Sequence, residues 1–213
     1  MKKINLKLFI KLNSMATHDF STSLNYEQSK FPKADKFYTE KLKATLISRI
    51  GFEDEDSKAL QRMDIDVALT INGNKILVSE KDRQADWGDL LLEFYSKYPN
   101  TKGWMDNSKA DFMAYFVPNY VYWINKKELT DFYKNILSPA VPNNFFSEII
   151  EQYPRQSKRV SKEILISGVK QKIFVVSAYN FPRNSNVEWY TLNICITYNL
   201  LSKNGVTIIK YAL

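Results

Sequence analysis

The stretch from Met63 to Arg83 constrains the fold most tightly. "MDIDVALTI" sets Asp64, Asp66 and Ala68 against Ile65, Val67 and Leu69, the two-residue period of a strand with one buried face. "NGN" at Asn72 to Asn74 follows, a strong hairpin signal because both central residues tolerate positive φ. "KILVSEKDR" is then the returning strand, and its end carries four consecutive charges, Glu80, Lys81, Asp82 and Arg83. Apolar residues would cost less to bury there. The hairpin sets Asp66 on one strand and Glu80 with Lys81 on the next, carboxylates and an amine whose proximity a divalent metal or a phosphate would offset.

The neighbouring segments read as alternating helices and strands. "FPKADKFYTEKLKATLISRI" predicts a helix from about Lys33 to Ile50, with Ala34, Phe37, Tyr38, Leu42, Thr45, Leu46 and Ile50 on one face. Pro32 suits its first turn, Gly51 ends it, and Glu40 flanks its buried stripe. The acidic run "EDEDSK" reads as a solvated loop. "DLLLEFYS", Asp89 to Ser96, is assigned as a strand because "YPNTKG" closes it soon after. "SKADFMAYFV" predicts a helix, "NYVYWIN" a strand, and "KKELTDFYKNIL" a helix ended by Ser138 and Pro139. Beyond "PAVPNN", "FFSEIIEQY" predicts a short helix, "KEILISG" and "KIFVVSAYNF" are strand-like, and "EWYTLNICITYNLL" with "GVTIIKYAL" complete this part. The expectation is one α/β domain over 1–213: a mixed central sheet flanked by helices over about 33–137, and a β-rich, basic C-terminal part over about 143–213.

Composition narrows the class of molecule. A chain of 213 residues that is 45% hydrophobic and 14% aromatic can bury a core and is not intrinsically disordered. Its formal charge of +7 favours a polyanionic partner, since Lys and Arg gain affinity by releasing counterions from phosphates. Cys195 is the single cysteine, which excludes an internal disulfide and a cysteine zinc cluster and fits a reducing compartment. Its setting in "LNICITY" marks it as a core thiol. The opening "MKKINLKLFIKLNSMA" imitates a secretory signal, but Lys7 and Lys11 interrupt its apolar stretch. It reads as a strand or irregular lead-in to a cytoplasmic protein, and no segment approaches the roughly 20 apolar residues of a membrane span. His18, in "MATHDFSTS", has no second histidine to form a zinc site or triad with it.

The spacing of acids and lysine resembles the PD-(D/E)XK nuclease superfamily, the restriction-endonuclease-like fold. Glu40 in "FYTEKL", Asp66 in "MDIDVAL" and Lys81 in "SEKDR" stand where that pattern has a helical acid, a strand aspartate and the lysine of the adjacent strand. The resemblance covers roughly Ala34 to Leu137. It implies Mg²⁺ or Mn²⁺ held by Asp66 with Glu80, Glu93 or Glu40, Lys81 assisting the attacking water, and hydrolysis of DNA, with RNA as the alternative. A homodimer would suit double-strand cleavage. Ser79 departs from the pattern, standing where the acid two residues before the lysine belongs, so Glu80 and Glu93 compete for that role. Arg83 and the cluster Arg155, Lys158, Arg159 and Lys162 in "PRQSKRVSK" are the candidates for holding the nucleic-acid backbone.

Plainer readings stand beside these. Asp64 and Asp66 can be solvent-facing strand residues, Lys81 can pair with Glu80 or Asp82, and Arg83 can close an ordinary salt bridge. Trp87, Trp104 and Trp123 suit a core as well as base stacking, although "KGWMDN" puts Trp104 in an expected loop. Two further functions remain open: a nucleic-acid binder without a metal site, and a protein-interaction module.

Overall fold

The computed structural model describes residues 29, 31–51, 55–181 and 187–213. Two sheets form among the described residues. The first is mixed, with order β1 (Leu46–Arg49), β2 (Val67–Ile71), β3 (Asn74–Asp82), β6 (Phe112–Val117), β7 (Tyr120–Asn125) and β11 (Ile208–Ala212). Among the described residues, only β3 and β6 run parallel in it; the other neighbours are antiparallel. The second is antiparallel throughout, with order β5 (Thr101–Lys102), β4 (Asp89–Tyr98), β10 (Trp189–Thr197), β9 (Val169–Asn180) and β8 (Lys158–Ile166). The helical segments are α1 (Phe31–Glu40), α2 (Glu55–Arg62), α3 (Trp104–Asn107), α4 (Lys126–Phe132), α5 (Ser138–Ala140), α6 (Phe145–Gln152) and α7 (Tyr198–Lys203), with a π-helical stretch, Tyr133–Leu137, joining α4 to α5. The chain is thus a mixed α/β protein. None of the helices is long and apolar enough to cross a membrane among the described residues.

The β2–β3 hairpin turns where its sequence dictates, but its first strand begins at Val67 and not at Met63. Residues 63–66 leave the end of α2, with Asp64 at φ 58°, and Val67, Ala68 and Leu69 are all buried, so the expected alternation is lost. Asn72 and Gly73 take φ of 50° and 78°, the paired positive angles of a tight hairpin turn, and Ile71 pairs with Asn74 across it. Glycine meets no strain at such an angle and asparagine little.

Two predicted helices are overturned. The helix expected over 33–50 stops at Glu40, Lys43 turns into the left-handed region at φ 58°, and Leu46–Arg49 becomes an edge strand on β2. Pairing overrides the helical spacing there: the free edge of β2 needs hydrogen-bond partners, and the backbone from Thr45 onward supplies them. The helix expected in "SKADFMAYFV" is instead β6. Five of its six residues are buried, so both faces are apolar and no alternation survives to mark a strand. The acidic run also differs, since Glu55–Arg62 is helical. The expected lead-in over 1–16 and His18 lie outside the described residues.

One core lies between the sheets and extends under α4 and α6, joining Met113, Tyr115 and Ile124 to Leu92, Ile194 and Phe132. A second lies on the opposite face of the mixed sheet, where Ala34, Phe37 and Tyr38 of α1 pack on Val67, Val78, Ala114 and Trp123. Strand alternation sorts β3 between them. Ser79 and Lys81 pair with Met113 and Tyr115 on the inter-sheet side, whereas Val78 and Glu80 lie on the α1 side with Ala114. The sheets also exchange chain segments, as β4 and β5 join the C-terminal strands and β11 returns to the mixed sheet.

Candidate active site

Asp64 shapes the site by ending α2. The amide of Asp64 bonds the Gln61 carbonyl at 2.9 Å and that of Ile65 bonds the Leu60 carbonyl at 3.1 Å, the paired hydrogen bonds of a Schellman terminus with Asp64 at the residue just past the helix. Its φ is 58°, a position that glycine usually fills. An aspartate there costs backbone strain, and it delivers a buried carboxylate to the foot of β2.

Lys81 reaches this carboxylate from β3. Its Nζ lies 2.5 Å from Asp64 Oδ1 and 3.8 Å from Asp66 Oδ2. Asp66 is held in turn by the Glu80 amide, which donates to its Oδ2 at 2.7 Å, while its side chain stays 37% exposed and opens the cluster to solvent. Burial pulls the Lys81 ammonium toward neutrality, but Asp66 and Asp64 outweigh it and hold the lysine charged, above its ordinary pKa. Burial raises the Asp66 carboxyl, Lys81 opposes the rise and Asp64 adds to it.

Glu93 comes from the other sheet. Its Oε2 accepts the Trp104 amide at 3.1 Å, and its charge couples to Lys81 and Asp64; burial lifts its pKa while the Trp104 amide and Lys81 restrain it. Gly103 makes this contact feasible. A Cβ there would stand 2.2 Å from the Glu93 carbonyl oxygen and 2.7 Å from its Cγ, so no other residue lets β4 and the start of α3 approach so closely.

Lys126 completes the cluster from the first turn of α4. It is 1% exposed, and its Nζ sits 3.9 Å from Asp64 Oδ2, 3.9 Å from the Met105 sulfur and 4.1 Å from the centre of the Trp104 ring. Burial, against the pull of Asp64 and with the push of Lys81, lowers its pKa to about 7. Asp64 Oδ2, facing it, is buried without a hydrogen-bond donor. Neither Asp64 nor Lys126 was singled out from sequence. The signals were a second aspartate two residues before Asp66 and a lysine at a helix start, where the dipole disfavours a cation.

The other candidates separate from this cluster. Glu80 points to the α1 side, where Tyr38 Oη donates to it at 2.6 Å and Arg49 at 2.9 Å, with Arg49 also 2.6 Å from Asp35. Glu40 is on the surface, 3.9 Å from Lys36. Arg155 pairs with Glu188 at 3.2 Å, Lys158 lies over Tyr153, and Lys162 is half-buried on β8. Arg83 and Arg159 do meet, since both donate to the buried carboxylate of Asp89. Cys195 is buried beside them, and burial pushes its thiol up to about 11, as suits a core residue.

No family model, curated protein or solved structure matches the chain.

The arrangement therefore stands on its own chemistry. Asp64, Asp66 and Glu93 are hard oxygen donors of the kind Mg²⁺ and Mn²⁺ take, and one or two carboxylates with waters are an ordinary complement for Mg²⁺. Asp64 Oδ2 is free of hydrogen bonds. Two lysines already lie among these acids, and among the described residues no group of three or more His, Cys, Asp or Glu side chains converges tightly enough to cage a metal. The donor chemistry fits a cation shared with substrate or water; it does not form a closed protein cage.

Proposed function

We propose that this chain is a metal-dependent phosphodiesterase that hydrolyses DNA, a divergent relative of the PD-(D/E)XK nucleases with a restriction-endonuclease-like core. The observation that carries the reading is Lys81 drawn against both Asp64 and Asp66 across the hairpin. Asp66, immediately before β2, and Lys81 on the adjacent strand stand where the resemblance has its strand aspartate and lysine, and an ammonium held charged among acids suits a phosphate oxyanion or an attacking water.

Asp66, with Asp64 or Glu93 as a second carboxylate and with substrate and water filling the remaining positions, would hold Mg²⁺ or Mn²⁺, which when bound would polarise the phosphate and acidify water. Lys81 orients the water and stabilises charge that develops on the phosphate. Trp104 fixes Glu93 through its amide, and Lys126 keeps Asp64 oriented from beneath. Glu80 has no part in this, being engaged by Tyr38 and Arg49 on the other face.

Titration of Mn²⁺ into wild type and Asp66→Ala, followed by incubation of both with plasmid and single-stranded DNA, tests the reading. Binding and nicking that disappear in the variant, with its fold intact by circular dichroism, are expected. Equal cleavage by the variant would reject the assignment.

A second reading has its own observation. Ser79 stands on the Lys81 side of β3, buried with its hydroxyl unpartnered, where the motif has an acid. A chain that lost this ligand and balanced its remaining acids with Lys81 and Lys126 would bind nucleic acid without cutting it. Salt-sensitive DNA binding with no metal-dependent cleavage would select this reading.

A further inference from the structure

Beyond Lys81, the backbone of β3 continues one step, with the Arg83 amide bonded to the Phe116 carbonyl at 2.9 Å. Alternation returns Arg83 to the Lys81 side, about 7 Å along the strand, and its guanidinium meets the Tyr115 hydroxyl at 3.3 Å. Asp89 gathers Arg83 from the mixed sheet and Arg159 from β8 of the other, residues far apart in sequence. One carboxylate faces two guanidiniums, so this triad keeps a net positive charge.

Aromatic rings lie directly on these cations. The Arg83 and Arg159 guanidinium carbons are 4.4 and 4.2 Å from the centre of the Trp87 ring, and Arg159 is also 4.4 Å from that of Phe174. Trp87 is 56% exposed and Phe174 is 36% exposed. A core packing role explains neither exposure, since both rings leave much of their area in water. An exposed indole and phenyl bridged by guanidinium, two residues from a site of phosphate chemistry, match what an unpaired polynucleotide needs: faces for bases and cations for phosphates. Bases within a duplex are already stacked on one another and cannot use such faces.

We propose that Trp87, Phe174, Arg83 and Arg159 form a platform for single-stranded nucleic acid that leads the strand to Lys81 and Asp66. This inference rests on the phosphodiesterase reading and names the form of its substrate. The platform takes the unpaired strand by stacking on Trp87 and Phe174, with the surplus charge at Asp89 facing phosphate.

Fluorescence anisotropy in EDTA, with labelled oligothymidylate, oligouridylate and a blunt duplex of the same length, tests it on wild type, Trp87→Ala and Phe174→Ala. The single strands are expected to bind more tightly than the duplex. Each substitution should weaken single-strand binding about tenfold, equivalent to about 1.4 kcal/mol, while changing duplex binding little. Preference for oligouridylate with the same Trp87 dependence would support the platform and identify RNA as its source. Single-strand binding no tighter than duplex binding, or unchanged by both substitutions, would overturn it. Cleavage is scored separately with Mn²⁺: cutting without Trp87-dependent binding removes the platform and leaves hydrolysis standing. Trp87-dependent binding without cutting keeps the platform and removes hydrolysis.

Discussion

Asp64 and Lys81 are joined at 2.5 Å across the foot of the hairpin, although the aspartate occupies a left-handed backbone position that glycine would fill more comfortably. Two magnitudes compete there. Glycine would relieve about 1–2 kcal/mol of left-handed strain, whereas breaking a buried ion pair costs about 3–5 kcal/mol because a charge is left uncompensated. The pair dominates, so Asp64→Gly should lower stability by about 2 kcal/mol or more, measured by urea unfolding. A glycine variant more stable than wild type would show that Asp64 serves only to end α2.

Gly103→Ala tests the support of Glu93. The added Cβ meets backbone, the Glu93 carbonyl, so no rotation of a flexible side chain can relieve it. The loop must move, and the Trp104 amide moves with it away from Glu93 Oε2. A stability loss of about 1–3 kcal/mol is expected, and under the proposed phosphodiesterase reading metal-dependent cleavage should fall further than the unfolded fraction accounts for. Thermal melting and cleavage measured on one preparation separate the two effects. Full activity in a melted-down but folded variant would show that Glu93 needs no such placement.

Glu80 and Glu93 were equal competitors in the sequence, and the structure places them differently. Glu80→Gln weakens the link between α1 and β3 by removing the charge that Arg49 meets, at a cost of about 1–3 kcal/mol. Glu93→Gln removes a carboxylate beside Lys81 and Asp64. Mn²⁺ titration should therefore find affinity retained in the first and reduced in the second. The reverse pattern would move the proposed metal site to the α1 face.

What was legible depended on how local each signal was. The hairpin turn could be read because turn chemistry acts within a few residues, as the φ values of Asn72 and Gly73 show. The segment 41–50 could not, because its helical spacing competes with a pairing to β2 that only the folded sheet provides. Phe112–Val117 failed for a different reason: a strand buried on both faces has lost the period that identifies strands. Lys126 and Arg159 join their clusters through strand order and sheet contact, which no short window of sequence contains.

Lys126 carries the last expectation, which is about pH. Burial lowers its pKa in the folded protein to about 7, against an ordinary value of 10.5. Below pH 7 it is protonated whether folded or unfolded, and the folded state bears the whole cost of a buried ammonium. Between about 7 and 10.5 the unfolded chain holds a proton that the folded one has released, so unfolding takes up a proton and stability rises with pH. Above that range both states are neutral and the contribution is flat. Lys126→Met removes this dependence and keeps the apolar stem beside Met105 and Trp104. Urea unfolding at a series of pH values should thus find Lys126→Met more stable than wild type near pH 6, with the difference closing toward pH 10. A constant difference across that range would mean that Lys126 stays charged in the fold, with Asp64 compensating it fully.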